Sequence, residues 1–135
     1  MQHATGTFEV KMTPEAKGDA PTGGLPTSRM GIAKTFIGGM TGSATGTMLA
    51  AGTPKPGHPA GYVAIDQFNG SVDGKAGSFL LLHRGTIDKV GGADLSVIIA
   101  PDSGTGALEG ISGSFAITIE GGVHRYDLAY TLPTK

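Results

Sequence analysis

Hydrophobic and polar residues alternate along much of this chain with the period of two that is typical of β-strands with two different faces. Phe8, Val10 and Met12 share one face of the first such stretch, while the polar residues between them point the other way. The alternation is clearest in four stretches, which are TFEVKM (7–12), GYVAIDQF (61–68), SFAITIE (114–120) and HRYDLAYTL (124–132).

Eight strands are predicted from this pattern, and no stretch of ten or more residues carries a helical period. Two strands, 76–86 and 93–100, are apolar on both faces, so we expect both faces to be covered. The strand at 40–51 is spaced by glycines, which is typical of a sheet that bends sharply or packs closely. The predicted strands are 4–12, 29–38, 40–51, 60–69, 76–86, 93–100, 112–120 and 123–132.

Composition supports strands over helices. The chain has 24 glycines among its 135 residues, against an average of about 7%, and glycine weakens helices. Two longer connections, 13–28 and 52–60, are rich in proline and glycine, and we expect them to be surface loops around an opening. Residues 1–135 are therefore predicted to form one all-β domain, a closed antiparallel eight-stranded β-barrel with little or no helix, since closure removes exposed strand edges.

The stretch DSGTGALEGISG (102–113) has nearly the rhythm of a phosphate-binding loop. Its glycines do not give the G-x-G-x-x-G spacing, because position 109 is glutamate, and no lysine follows as in a P-loop. The stretch also leads into a predicted strand, so no helix N-terminus is present to hold a phosphate. We interpret these residues as turn and corner glycines.

The same stretch, together with HRYDLAYTL, resembles the C-terminal signature of the allene oxide cyclase-like barrels. Over nearly the whole chain the sequence is similar to an uncharacterised bacterial family of this fold, a domain of unknown function. The resemblance implies a closed eight-stranded barrel that often associates into small oligomers, and it does not imply fatty-acid oxide cyclisation, because fold does not fix function. The stretches that carry it are GTFEVK, RMGIAKTFIGGMTGSATGTML, GYVAIDQFNGSVDGKAGSFLLLHRGTI and PDSGTGALEGISGSF.

Charge and residue content exclude several classes of function. Ten basic and eleven acidic residues nearly cancel, which argues against a nucleic-acid partner, and the chain has no cysteine for thiol chemistry. The four histidines lack the spacing of a metal site, so we expect no metal and no cofactor. No apolar run approaches the ~20 residues of a membrane span, and MQHATGTFEV lacks the features of an export signal. We therefore expect a cytoplasmic protein without membrane contact.

Three polar residues on predicted inward faces are candidate catalytic groups: His83, Asp66 and Tyr126. His83 could act as a general acid or base, with Asp66 on the adjacent strand orienting it. The alternative is a buried His–Asp pair that only satisfies its own polar groups, and a partner is expected either way. The apolar residues on the inward faces are Phe8, Val10, Ile32, Phe36, Phe79, Leu81, Val97, Ile99, Phe115, Ile117 and Leu128.

Several inward positions are candidate ligand contacts. Lys34 could pair with Asp66, meet the carboxylate of a ligand, or extend to the barrel rim. The hydroxyls of Tyr126 and Tyr130 could donate to a ligand carbonyl or oxyanion, or bond to the backbone. The candidate ligand-binding residues are Lys34, Tyr62, Phe36, Phe79, Phe115, His124 and Tyr130.

Three classes of function fit this pattern. The first is a binding protein that holds one small hydrophobic or amphipathic molecule in its lumen. The second is a cofactor-free isomerase or cyclase that holds a flexible apolar substrate in a reactive conformation. The third is a structural barrel with a packed lumen. Apolar outward positions in strands 76–86 and 93–100, among them Leu80, Leu82 and Ile98, also predict a homo-oligomer with these strands near the interface.

Overall fold

The computed structural model describes residues 1–18, 24–52 and 57–133, and these form a closed β-barrel. Each strand pairs antiparallel with its neighbours in chain order, and β1 pairs with β8 to close the barrel. The predicted fold class is confirmed, and a single short 3-10 turn, Gly106–Leu108, is the helical element of the described residues. The strands are β1 (Gln2–Gly18), β2 (Thr27–Gly38), β3 (Met40–Gly52), β4 (Ala60–Val72), β5 (Lys75–Ile87), β6 (Ala93–Ile99), β7 (Ser112–Glu120) and β8 (Val123–Thr131).

The first predicted connection is wrong in part. Strand β1 does not stop at Met12 but continues to Gly18, pairing with the beginning of β2. The register shifts between Pro14 and Ala16, a bulge that accommodates a proline in a strand. The second connection lies where it was predicted, between Gly52 and Ala60. Residues 19–23 and 53–56 of these connections lie outside the described residues.

Glycine-containing two-residue turns connect two of the hairpins. Asp73 and Gly74 have φ of 48° and 84° between β4 and β5, and Gly121 and Gly122 have φ of 56° and 81° between β7 and β8. Paired positive φ values match the right-handed twist of the flanking strands. The tight hairpin predicted at 120–122 is confirmed.

The segment after β6 covers one end of the barrel, which we call the closed end. Its backbone runs beside the first half of β5, where Thr105 N donates to Ser78 O over 2.9 Å. Leu108 and Ile111 from this segment are 0% and 1% exposed, so they plug the lumen. Gly106 and Gly110 have φ of 60° and 80° in this segment, as the predicted turn glycines require, while Gly113 lies within β7 close to the backbone of β8.

Aromatic rings fill the lumen next to this plug. Phe36 lies at the centre of the group, with ring centroids 5.5 Å from Phe8, 5.5 Å from Phe68 and 5.6 Å from Tyr126. The ring of Phe115 stacks on that of Tyr126 at 5.6 Å. Such offset and edge-to-face contacts pack a core without voids.

The inward face becomes exposed toward the other end of the barrel, which we call the open end. Along β1 the inward side chains pass from buried Phe8 through half-buried Val10 to Met12, which is 50% exposed. Inward-facing Leu95 of β6 and Ile119 of β7 are likewise 47% and 63% exposed. As far as residues 1–18, 24–52 and 57–133 show, the lumen is therefore packed at one end and accessible at the other.

Candidate functional site

Three titratable side chains meet inside the barrel between its packed and accessible halves. Lys34 Nζ donates to Asp66 Oδ2 over 2.6 Å, and His83 Nε2 lies 2.9 Å from the same oxygen. The three residues come from β2, β4 and β5, and all are at most 7% exposed. We call Lys34, Asp66 and His83 the polar triad.

Small residues on β3 make the contact between β2 and β4 feasible. In the sheet register β3 lies between the two strands, with Ala44 opposite Lys34 and Gly46 opposite Asp66. A Cβ on Gly46 would lie 2.8 Å from Asp66 Oδ1 and 1.9 Å from a backbone oxygen. The glycine spacing of this strand predicted close packing, and the packed group is the Asp66 carboxylate.

The triad keeps Asp66 ionised. Burial by itself would raise the pKa of this carboxyl, but the hydrogen bond from His83 and the charge of Lys34 outweigh it and hold the pKa below its ordinary value. The ammonium of Lys34 also lies 5.6 Å from the ring centroid of Phe8, within range of a cation–π contact. The charges are thus paired, as burial in an apolar interior requires.

The two carboxylate oxygens of Asp66 are used unequally. Oδ2 contacts both Lys34 Nζ and His83 Nε2, while Oδ1 is buried and has no hydrogen-bond partner among the described residues. Oδ1 faces the backbone at Gly46, where a Cβ would not fit. Asp66 is 0% exposed, whereas Lys34 and His83 keep 7% and 6%. The carboxylate is therefore the least exposed group of the triad.

A ring of apolar side chains lies above the triad toward the open end. Ile32, Met48 and Ala64 form a second buried cluster, separate from the aromatic core. Tyr62 packs against this cluster, and its ring lies where a Cβ on Gly85 would be, only 2.2 Å from a ring carbon. Burial and the nearby Asp66 raise the pKa of Tyr62 above its ordinary value. This tyrosine therefore stays neutral beside the triad.

Two of the candidate tyrosines do not reach the triad. The hydroxyl of Tyr126 accepts from Met40 N at 2.8 Å and donates to Ile37 O at 2.9 Å. The hydroxyl of Tyr130 lies 2.5 Å from Asp73 Oδ2 and 2.9 Å from Gln2 Oε1, at the closed end. Of the two alternatives that the sequence left open for Tyr126, its hydroxyl makes the backbone bonds.

Three candidate ligand contacts lie in the packed half of the lumen. Phe36, Phe79 and Phe115 are 2%, 1% and 4% exposed and pack against other aromatic rings. His124 lies higher, half-buried, with its ring centroid 5.2 Å from that of Phe8. The structure thus brings Lys34, Tyr62 and His124 to the accessible side, and leaves the three phenylalanines in the core.

Sequence reasoning missed the residues of the open rim as candidate ligand contacts. We define the rim as the inward-facing, exposed side chains of Met12, Leu95 and Ile119. The alternation already placed Met12 and Ile119 on inward faces, but it does not indicate how far along the lumen a side chain lies or whether it is exposed there. The contacts of Tyr130 with Gln2 and Asp73 were also missed, because these partners are far apart in the sequence.

Two surface depressions of about 640 Å³ each lie near the open end. Both touch Ala51, Gly61 and Thr86, and the first also reaches the exposed side chains of Leu49 and Val63. The apolar outer wall continues through Ile65 and Ile98, which are 53% and 43% exposed. The predicted homo-oligomer therefore stays a prediction, with an apolar wall available for it; sedimentation as a concentration-independent monomer would contradict it.

The residues described here place limits on other sites. Within 1–18, 24–52 and 57–133, no group of three or more histidine, aspartate or glutamate side chains gathers as a metal ion would require. In the same part of the chain no helix is long and apolar enough to cross a membrane. What the described geometry offers is an ionised carboxylate held by an ammonium and an imidazole, beneath an apolar opening.

Fold and site together define a small antiparallel barrel with one packed end, one open end and a buried polar triad between them. Residues 4–130 match the family described as protein of unknown function (DUF3224), and the chain belongs to that family. A crystal structure of a protein with unknown function from the same family, from Shewanella oneidensis MR-1, is 40% identical, covers 99% of each chain and superposes with a TM-score of 0.90. Comparison with curated proteins returned no match.

Proposed function

We propose that this barrel binds a small hydrophobic or amphipathic molecule in the open half of its lumen. The supporting observation is the rim, where Met12, Leu95 and Ile119 face inward and yet stay 47–63% exposed. Apolar side chains on the concave face of a barrel are solvated unfavourably unless something covers them. A ligand on the rim would rest on the Ile32 cluster and Tyr62, with the polar triad beneath it.

The packed half of the lumen supports such a site without contacting the ligand. Phe36, Phe79 and Phe115 fill their own space, so we assign them to the core and no longer to ligand contact. Lys34, Tyr62 and His124 remain candidate ligand contacts. A binding site needs a rigid base, and interlocked rings provide one.

The test uses N-phenyl-1-naphthylamine, a neutral probe whose fluorescence rises in apolar surroundings. Two isoleucines of nearly equal exposure give matched variants: Ile119 at 63% on the inward rim, and Ile37 at 64% on the outer face of β2. We expect Ile119→Asp to weaken probe binding by about tenfold or more, which is about 1.4 kcal/mol, because a carboxylate would face the probe. Ile37→Asp should leave binding unchanged.

Absence of any fluorescence response in the wild-type protein, with folding verified by circular dichroism, would contradict a binding site and favour the structural alternative. Equal losses in both variants would place the probe outside the lumen. If the probe binds in the lumen, native mass spectrometry with organic extraction of the purified protein would identify the natural ligand.

A second candidate function is a cofactor-free isomerase or cyclase, and the polar triad favours it. His83 next to an ionised Asp66 is the arrangement of a general base whose protonated form is stabilised by a carboxylate. Incubation of the extracted molecule with protein in D₂O tests this function. Catalysis would be supported if deuterium is incorporated into the molecule and the variant His83→Asn abolishes this incorporation. Incorporation at the uncatalysed rate would contradict catalysis and leave binding as the only function.

A further inference from the structure

The members of the polar triad differ in exposure. Lys34 Nζ and His83 Nε2 both contact Asp66 Oδ2. Lys34 and His83 keep 7% and 6% exposure, while Asp66 is fully buried. A molecule in the open half could therefore contact the ammonium of Lys34 but not the carboxylate.

The donors of the triad exceed the acceptors that face them. The ammonium of Lys34 has three N–H groups, and the structure bonds it to one side-chain acceptor, Asp66 Oδ2. The second acceptor of that carboxylate, Oδ1, is turned toward Gly46 and away from both donors. An additional acceptor supplied from the open end would complete the hydrogen bonding of Lys34.

The charge of the donor indicates which acceptor fits. Lys34 and the ionised Asp66 compensate each other, and the remaining N–H groups of the ammonium still need acceptors. A carboxylate from a ligand would accept charge-assisted hydrogen bonds from this ammonium, which are about twice as strong as neutral ones. A cationic group in the same place would offer the ammonium no acceptor.

We infer that the ligand is a small amphipathic carboxylic acid, with its carboxylate on Lys34 and its apolar part along the rim. This inference rests on the proposed binding function and names the chemical class of the ligand. The apolar part would contact the Ile32 cluster, Tyr62 and the rim, where the exposed inward side chains lie.

Three probes with the same ten-carbon chain separate the head group from the tail: decanoate, decanol and decylammonium. Isothermal titration calorimetry at pH 7, below the critical micelle concentrations, gives their affinities for the wild-type protein. We expect decanoate to bind at least about tenfold more tightly than decanol, and decylammonium to bind more weakly than both. This ranking needs no variant, so it holds even where a variant fails to fold.

The variant Lys34→Met assigns the head-group contact. It keeps an unbranched side chain of similar length and removes the ammonium, so the affinity for decanoate should fall to that for decanol, and the affinity for decanol should stay unchanged. The matched control is Lys11→Met, because Lys11 is an exposed lysine on the outer face of β1. It should alter neither affinity.

The outcomes distinguish this inference from the proposed function. Equal affinities for decanoate and decanol would overturn the acidic head group and leave a binding site for apolar molecules intact. Tighter binding of decylammonium would likewise overturn it. Failure of all three probes and of N-phenyl-1-naphthylamine to bind would overturn both the proposed function and the inference that depends on it.

Discussion

The closed and open ends of the barrel are built from the same alternating strands, and yet their inward side chains differ in burial. At the closed end Leu108 and Ile111 come from the segment after β6 and are almost fully buried. At the open end Leu95 and Ile119 face the same lumen and are about half exposed or more. Alternation thus decides on which face of the sheet a side chain lies, and a covering segment decides whether that face is shielded from water.

The polar groups of the two ends differ in the same way. At the closed end the hydroxyls of Tyr126 and Tyr130 are satisfied by neighbouring protein groups. Nearer the open end Lys34 and His83 share a single oxygen of Asp66. The hydroxyls of the closed end are thus satisfied by the protein, whereas Asp66 Oδ1 of the triad has no hydrogen-bond partner among the described residues.

The largest expected effect tests whether the closed end carries the stability. Leu108→Ala should lower the free energy of unfolding by about 2–5 kcal/mol, because it opens a cavity in a packed site. Leu95→Ala at the open end should cost about 0.5 kcal/mol or less, as exposed positions do. Urea denaturation followed by circular dichroism measures both. Similar losses in the two variants would mean that the open end is as tightly packed as the closed end.

A smaller effect tests the close approach that positions the triad. Gly46→Ala should destabilise the protein by about 1–3 kcal/mol, since its Cβ would lie 1.9 Å from a backbone oxygen and 2.8 Å from Asp66 Oδ1. Gly61→Ala on the next strand is the control, because its Cβ would meet nothing nearer than 3.6 Å. It should change stability by about 0.5 kcal/mol or less. Thermal unfolding compares the two; a tolerated Gly46→Ala would contradict the geometry of the triad.

The smallest expected effect at neutral pH comes from two titratable side chains, Tyr130 at the closed end and Asp66 in the polar triad. They limit the stability of the protein at high and at low pH, respectively. Burial and the hydrogen bond to Asp73 raise the pKa of Tyr130 from 10.0 to about 12. A raised pKa contributes stability that is complete below pH 10 and is lost as the pH rises toward 12. The pKa of Asp66 is lowered instead, so its contribution is complete above its ordinary value of 3.8 and is lost as the pH falls below it.

Two conservative variants separate these contributions. In urea denaturation across pH, Tyr130→Phe should remove part of the loss of stability above pH 10, and Asp66→Asn part of the loss below about pH 4. Each variant should leave the other limit unchanged. If Asp66→Asn keeps the full acid sensitivity of the wild-type protein, the ion pairs of the triad do not stabilise the folded state.

Much of the fold could be predicted from the sequence, because local pattern carries it. All eight strands were predicted, and six of them end within one residue of the predicted position. The exceptions are β4, which continues to Val72 instead of ending at 69, and β1. Proline and glycine after Met12 indicated a loop, yet pairing with β2 extends β1 to Gly18 by way of a bulge. A tertiary partner outweighed the local preference.

The residues of the polar triad could be predicted from the sequence, but their arrangement could not. The sequence placed Asp66 and His83 on adjacent inward faces, and left three alternatives for Lys34: pairing with Asp66, meeting a ligand carboxylate, or reaching the rim. Pairing depends on the register across β3, where Ala44 and Gly46 leave room for the side chains to meet. No local pattern contains that register.

What the sequence determined by itself is the alternation, the turns and the residue types on each face, because each depends on neighbours a few positions apart. What only the tertiary structure decided is which end of the lumen is plugged, and that Lys34 and His83 converge on one oxygen of Asp66. Both depend on long-range pairing: the segment after β6 must fold against β5, and three strands must align in register around a closed barrel. Contacts between residues so far apart in the sequence are set by closure of the whole sheet. The open end and the polar triad therefore follow from the folded barrel and not from any local stretch of sequence.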